Sequence, residues 1–320
     1  MPRDKAAGAG KRAKKSADPG GVSPAILGLG PEPIEALRPS KLAPGLYVVS
    51  TPIGNLGDVT LRALKTLVSA DAVLCEDTRV TGKLLARYGI SARKIPYHDF
   101  NADRARPEIL RRLKAGEALA LVSDAGTPLL SDPGYKLVRD AVAAGLSVTA
   151  IPGPSAALAA LVLSGLPPDA FLFGGFLPPK SAARKTALRQ WKNLPATLLF
   201  YETAPRLAAS LADMAEILGD RPASVARELT KLYEEVKRGT LAGLAAFYRE
   251  QGGPKGEMVV AVGPPADQSS ITDDASLDRA LAPALAATSL RQAVADVAAS
   301  TGLPRRLVYA RALHLKGAGR

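Results

Sequence analysis

Three Gly/Pro-punctuated stretches stand where this chain can do chemistry. They are Ser50-Thr51-Pro52-Ile53-Gly54-Asn55, Ser123-Asp124-Ala125-Gly126-Thr127-Pro128 running on to Ser131-Asp132-Pro133-Gly134, and Ile151-Pro152-Gly153-Pro154-Ser155. Each follows a short apolar run and precedes a helical pattern, so backbone N–H groups are left free to meet a ligand. The first lacks the Gly-Lys-Ser/Thr of a P-loop and the glycine triplet of a dinucleotide fingerprint, although Glu76 falls 22 residues after Gly54. Glu76, Asp77 and Glu228 could each accept a proton from a reacting hydroxyl. Each could equally serve structure: Asp77 precedes Thr78 as a helix cap would, and Glu228 lies near Arg227 and Lys231. Arg79, Arg206 and Lys231 are candidate anion contacts or simply solvated cations, and His98 in Tyr97-His98-Asp99-Phe100-Asn101 reads as a structural or contact residue rather than a base. Two histidines and the single Cys75 make a poor ligand set, so no metal is expected.

These loops need a scaffold of parallel strands. Apolar runs at 46–50, 72–77, 94–97, 118–122 and 147–151 alternate with helical patterns at 59–68, 81–88, 104–114 and 135–144. Asp58 is the expected cap of the first helix, and Gly89 and Gly145 end two of the others. The alternation predicts a mostly parallel α/β sheet covered on both faces, spanning 45–153. A second α/β unit over 154–265 has expected strands at 171–176, 196–202, 222–228 and 257–263. Its expected helices lie at 155–164, 181–191, 205–218 and 240–250.

The formal net charge of +12 is concentrated at the ends: residues 1–20 carry +4 and residues 275–320 carry +5, leaving +3 for everything between. That distribution fits a polyanionic partner such as nucleic acid, though basic tails also aid solubility. Residues 1–44 read as a disordered basic tail. One cysteine permits no internal disulfide, and neither a membrane-length apolar run nor a signal-type leader is evident, so a soluble cytoplasmic protein is expected. The segment 275–320 predicts helices with a turn at Thr301-Gly302, either a helix-turn-helix or a helical hairpin packed on the body through Leu290, Val294, Val297 and Leu307. Arg305, Arg306 and Arg311 fall at spacings that can share a helix face.

TPIGNLGD, CEDTR, YHDFN, LVSDAGTPLLSDPGY, IPGPSAA, GFLP, FYE, ARELTKLYEE and KGEMV occur in this order. With them the chain resembles the RsmI-type ribosomal RNA small subunit methyltransferases of the tetrapyrrole methylase superfamily over about residues 45–265, and the helical end resembles that family's C-terminal domain. The resemblance implies two α/β domains with S-adenosylmethionine between them, plus a small helical domain over 275–320 that contacts RNA. Matched by position, Pro52, Gly54, Asp124, Ala125, Gly126, Thr127, Ser131, Ser155, Ala156 and Tyr201 would hold the cofactor. Arg79, His98, Arg206, Lys231, Arg305, Arg306 and Arg311 would face RNA. The implied reaction is 2′-O-methylation of a cytidine in the decoding region of 16S ribosomal RNA, with ribosomal RNA or the small subunit as partner and a homodimer as the expected assembly. A corrin or porphyrin methylase of the same fold and a nonenzymatic RNA-binding module are the alternatives.

Overall fold

The computed structural model describes residues 40–252, 254, 256–265, 274–301 and 303–318. The basic tail expected over 1–44 lies, up to residue 39, outside the described residues, as does Gly302 of the expected turn.

The first sheet is wholly parallel, in the order β3-β2-β4-β1-β5. Its strands are β1 (Gly45–Val49), β2 (Ala72–Cys75), β3 (Lys94–Pro96), β4 (Ala118–Val122) and β5 (Val148–Ile151). Every residue of the central β2 and β4 is buried, as strands covered on both faces require. The intervening helices are α1 (Leu61–Ser69), α2 (Thr78–Arg87), α3 (Ala102–Lys114) and α4 (Tyr135–Ala143). Leu64 and Leu67 of α1 are buried, as are Leu84 and Leu85 of α2, Ile109 and Leu113 of α3 and Leu137 of α4. Thr60, not Asp58, caps α1: its hydroxyl accepts the Ala63 N–H at 3.1 Å, while Asp58 closes a short 3-10 turn. The chain leaves β1 toward β2 on one side and leaves β4 toward β5 on the other, so the loops after β1 and β4 flank a crevice at the strand C-termini.

The second sheet departs from the parallel pattern. Its order is β6-β7-β10-β8-β9, and only β6 (Phe171–Phe176) and β7 (Thr197–Thr203) run parallel. Strands β8 (Pro222–Arg227), β9 (Glu235–Thr240) and β10 (Glu257–Val262) pair antiparallel. Helices α5 (Ala156–Ser164), α6 (Ser181–Arg189), α7 (Leu207–Leu218) and α8 (Leu241–Gln251) complete this half. Phe200, Leu211, Met214, Leu244 and Val260 form the centre of its core.

Helices α9 (Asp274–Ala287), α10 (Leu290–Thr301) and α11 (Arg305–Ala318) surround a core of their own, built on Leu277, Leu281, Val294, Val297, Val308 and Ala312. Val294 and Val297 therefore pack within this unit, and Leu307, also expected to cover the body, is 51% exposed.

Candidate functional site

The three loops after β1, β4 and β5 are tied together. Thr51 and Gly126 exchange backbone hydrogen bonds at 2.8 and 3.0 Å. The Thr51 hydroxyl donates to the Ser123 carbonyl at 3.1 Å. The Ser50 hydroxyl donates to Thr127, whose own hydroxyl donates to the Pro154 carbonyl. Gly126 adopts φ +82°, and a Cβ there would stand 3.1 Å from the Ile53 methyl, so this close approach depends on glycine. Ser155 caps α5 by accepting the Leu158 N–H.

A turn from the second half closes over the first loop. The Asn55 N–H donates to the Thr230 hydroxyl at 3.1 Å, and Lys231 lies against Gly54, where a Cβ would meet Lys231 Cγ at 2.5 Å. The turn is held in shape from within, with Glu228 at φ +49° and Thr230 at φ +65°. Lys231 donates to Glu228 at 3.0 Å and to Glu257 at 3.2 Å. The Glu228 carboxylate also accepts the Glu257 N–H.

Two hollows result. The first, about 330 Å³, lies between the halves. Asp124 to Thr127, Ser131 and Asp132 line one side, and Tyr201, Leu229, Met258 and Val259 the other. The second, about 480 Å³, lies between the first loop and α2, with Pro52, Gly54, Leu56, Val80, Thr81, Lys83 and Leu84 among its walls. Ile53, Asp124, Ala125, Lys231 and Glu257 line both. The residues expected to hold cofactor are thus divided: Asp124, Ala125, Gly126, Thr127, Ser131, Ala156 and Tyr201 line the first hollow, Pro52 and Gly54 the second, and Ser155 neither.

The acids differ in what they can do. Asp77 caps α2, accepts the Arg79 N–H at 2.7 Å and pairs with the Arg79 guanidinium, which holds its carboxyl down at about 2. Glu228 is held low by Lys231. Each is engaged by a neighbouring cation, which makes it a weaker base than a free carboxylate. Glu76 keeps a raised proton affinity through burial and the neighbouring Asp124 and Asp99, yet it lines neither hollow. Asp124 is raised by burial and accepts the Asp77 N–H at 3.1 Å. Asp132, which the sequence reading passed over, is pushed up to about 6 by burial, then by Glu76 and Asp124. Its position inside a second Pro/Gly turn of one loop was the available signal.

The expected anion contacts also divide. Arg79 pairs with Asp77 while its side chain stays 88% exposed. Arg206 does not face outward: it donates to the Leu177 and Pro178 carbonyls and pairs with buried Glu202 at 3.3 Å. His98 packs edge-on to the fully exposed Phe100, its backbone N–H donating to Asn101. Arg305 and Arg306 line a groove of about 520 Å³ with Arg291 and Tyr309. Arg311 is instead consumed within the helical unit, by Asp278 through two hydrogen bonds and by Asp274 at 2.6 Å. Among the described residues no cluster of His, Cys, Asp and Glu could hold a metal ion, and no helix is long and apolar enough to cross a membrane.

The first hollow suits S-adenosylmethionine. Its apolar walls can cover an adenine, and Asp124 and Asp132 complement a positively charged sulfonium and ammonium. Residues 45–245 match the family described as Tetrapyrrole (Corrin/Porphyrin) Methylases, and residues 271–316 match the RsmI C-terminal HTH domain. Three proteins named Ribosomal RNA small subunit methyltransferase I are similar over most of their length. That of Mesorhizobium japonicum is 52% identical, covering 86% of this chain and 93% of its own. That of Erythrobacter litoralis is 55% identical, over 86% and 96%. That of Escherichia coli O157:H7 is 44% identical, over 85% and 96%. Among solved structures, the methyltransferase CobJ superposes with a TM-score of 0.54 at 20% identity over 69% of this chain and 95% of that one. A diphthine synthase gives 0.53 at 16% identity over 68% and 89%. These two likenesses concern the fold.

Proposed function

Because the chain belongs to the ribosomal RNA small subunit methyltransferase I family of tetrapyrrole methylases, we propose that it methylates the ribose 2′-hydroxyl of a cytidine in the decoding region of 16S ribosomal RNA. The enzyme is an S-adenosylmethionine-dependent methyltransferase. The observation that carries the reading is the acid-walled hollow at the switch point of the parallel sheet, with a second hollow opening beside it. The cofactor supplies an activated methyl group on a sulfonium; the chain's own residues bind, orient and exclude water. Asp124, Ala125, Gly126, Thr127, Ser131, Ala156 and Tyr201 would hold it.

In-line displacement depends mainly on positioning. The tied loops supply this, since Thr51, Gly126, Thr127 and Pro154 fix one another by direct hydrogen bonds. Of the acids expected from sequence, Glu76 keeps a raised proton affinity but lines neither hollow, which leaves Asp124, on the wall of both, as the acid placed to meet the acceptor. The helical unit and the relatives' names favour RNA over a corrin or porphyrin, and Arg305 and Arg306 are the RNA contacts proposed there. Helix α5 is apolar on its outer face, with Val162 79% exposed, which supports a homodimer. An enzyme of ribosomal RNA would work in the cytoplasm.

The test is ribose-methylation mapping of ribosomal RNA from cells with and without the gene, joined to labelled-methyl transfer by the purified protein. Loss of one cytidine 2′-O-methyl in the deletion, restored in vitro, is expected. An unchanged methylation map refutes the reading.

A further inference from the structure

The second hollow lies beyond most of the residues that would enclose the cofactor, and it shares Ile53, Asp124, Ala125, Lys231 and Glu257 with the first. Methyl transfer needs donor and acceptor to meet across so short a partition. At about 480 Å³ the second hollow has the capacity of a small-ligand site. Its chemistry is mixed in a specific way. Leu56 on one wall and Val80 and Leu84 on the other offer apolar faces. Lys83 at the same wall is exposed and pairs with no carboxylate among the described residues. Thr51 and Ser123 are buried polar groups at the base. Two facing apolar walls with a cation beside them fit a base and its phosphate.

We propose that this second hollow receives a single pyrimidine nucleotide turned out of the RNA, its base between Leu56 and Val80/Leu84, its phosphate toward Lys83 and its ribose toward Asp124. The proposal rests on the RNA reading above. Turning out a nucleotide costs stacking energy, which the apolar walls offset by taking up the base. Asp124 lines both hollows and is fixed by the Asp77 N–H. There the 2′-hydroxyl proton passes to the Asp124 carboxylate as the ribose oxygen takes the methyl group, whose bond to sulfur breaks. Burial, which raises the proton affinity of Asp124, supports that role.

The experiment fills the hollow from each side. Val80→Trp acts from α2, where Val80 is 37% exposed, and Leu56→Trp acts from the opposite loop, so the test does not depend on one variant folding. Val142→Ala, on the exposed face of α4 and lining neither hollow, is the control. Methyl transfer to unmodified small subunits, S-adenosylmethionine affinity by calorimetry and saturation-transfer NMR with cytidine 5′-monophosphate are measured on all. Both tryptophan variants should lose about a hundredfold in transfer and lose the nucleotide signal, while cofactor affinity stays within about twofold and Val142→Ala resembles wild type. Wild-type transfer by the tryptophan variants, or cofactor affinity falling in parallel with transfer, overturns the proposal. If the wild type itself transfers no methyl to ribosomal RNA, the functional reading falls, and the NMR arm alone judges the hollow. Nucleotide binding lost only in the tryptophan variants sustains it; equal or absent binding in all refutes it.

Discussion

At the scale of single residues, Asp132 sets protein stability against ligand binding. Its carboxyl is pushed from 3.8 up to about 6 by burial and by Glu76 and Asp124. A carboxyl with a raised folded-state pKa favours folding in its protonated form, so stability falls as pH rises from about 4 to about 6 and remains lower above that. Asp132→Asn should therefore raise the melting temperature at about pH 7.5 while leaving it unchanged at about pH 4. The same variant should weaken S-adenosylmethionine several-fold by calorimetry, because the positive cofactor loses an anion. Equal melting temperatures at the higher pH would remove the electrostatic argument. Gly126→Arg should abolish cofactor binding, since φ +82° and an Ile53 methyl 3.1 Å from any Cβ force the loop out of shape at the wall of the hollow; unchanged affinity in a folded variant would relocate the site. The loop residues around Gly126 were legible because Gly, Pro and Ser cluster at strand ends. Asp132 was not, because its proton affinity arises from burial in the fold and then from Glu76, which lies more than fifty positions away along the chain.

At the scale of elements, Asp77 illustrates how one residue type admits two readings. It caps α2 with its side chain and binds Asp124 with its backbone N–H. Asparagine caps as well as aspartate, so Asp77→Asn should retain both turnover and the urea midpoint. Asp77→Ala should lower the midpoint and loosen the CEDTR turn. Lost turnover in Asp77→Asn with a native midpoint would restore Asp77 as a base. The parallel first sheet was readable from apolar runs alternating with helices. The antiparallel pairing of β7, β8 and β10 was not, because a short apolar run says only that a strand is buried, not which way its neighbour runs. Strand β9 escaped notice for a different reason: EVKRGT has no apolar run, since the strand sits at the sheet edge with most of its residues exposed. The closure of the first loop by Thr230 was equally hidden, as Asn55 and Thr230 stand 175 residues apart.

At the scale of the whole molecule, the helical unit's separate core predicts separable behaviour. Removing residues 274–318 should leave cofactor affinity and the melting of the α/β body nearly unchanged. Binding to the small subunit should weaken, and its dependence on salt should flatten, because fewer phosphate contacts release fewer counterions. Collapse of all three properties together would mean that the unit supports the body. Within it the arginines should divide: Arg305→Ala and Arg306→Ala should reduce RNA affinity, while Arg311→Ala should loosen the helices by freeing Asp274 and Asp278. Spacing alone put all three arginines on one face; the acids that claim Arg311 lie on another helix, out of reach of any helical-wheel argument.

The partition shared by the two hollows has a pharmacological consequence. Ligands that fill adjacent compartments separately can be joined, and the second then binds at an effective concentration set by the tether rather than by its dose. An adenosine thioether bridged by a very short linker to the ribose oxygen of cytidine would span Ile53, Asp124 and Ala125 and engage both sides at once. Such a two-headed ligand should bind more tightly than either half alone.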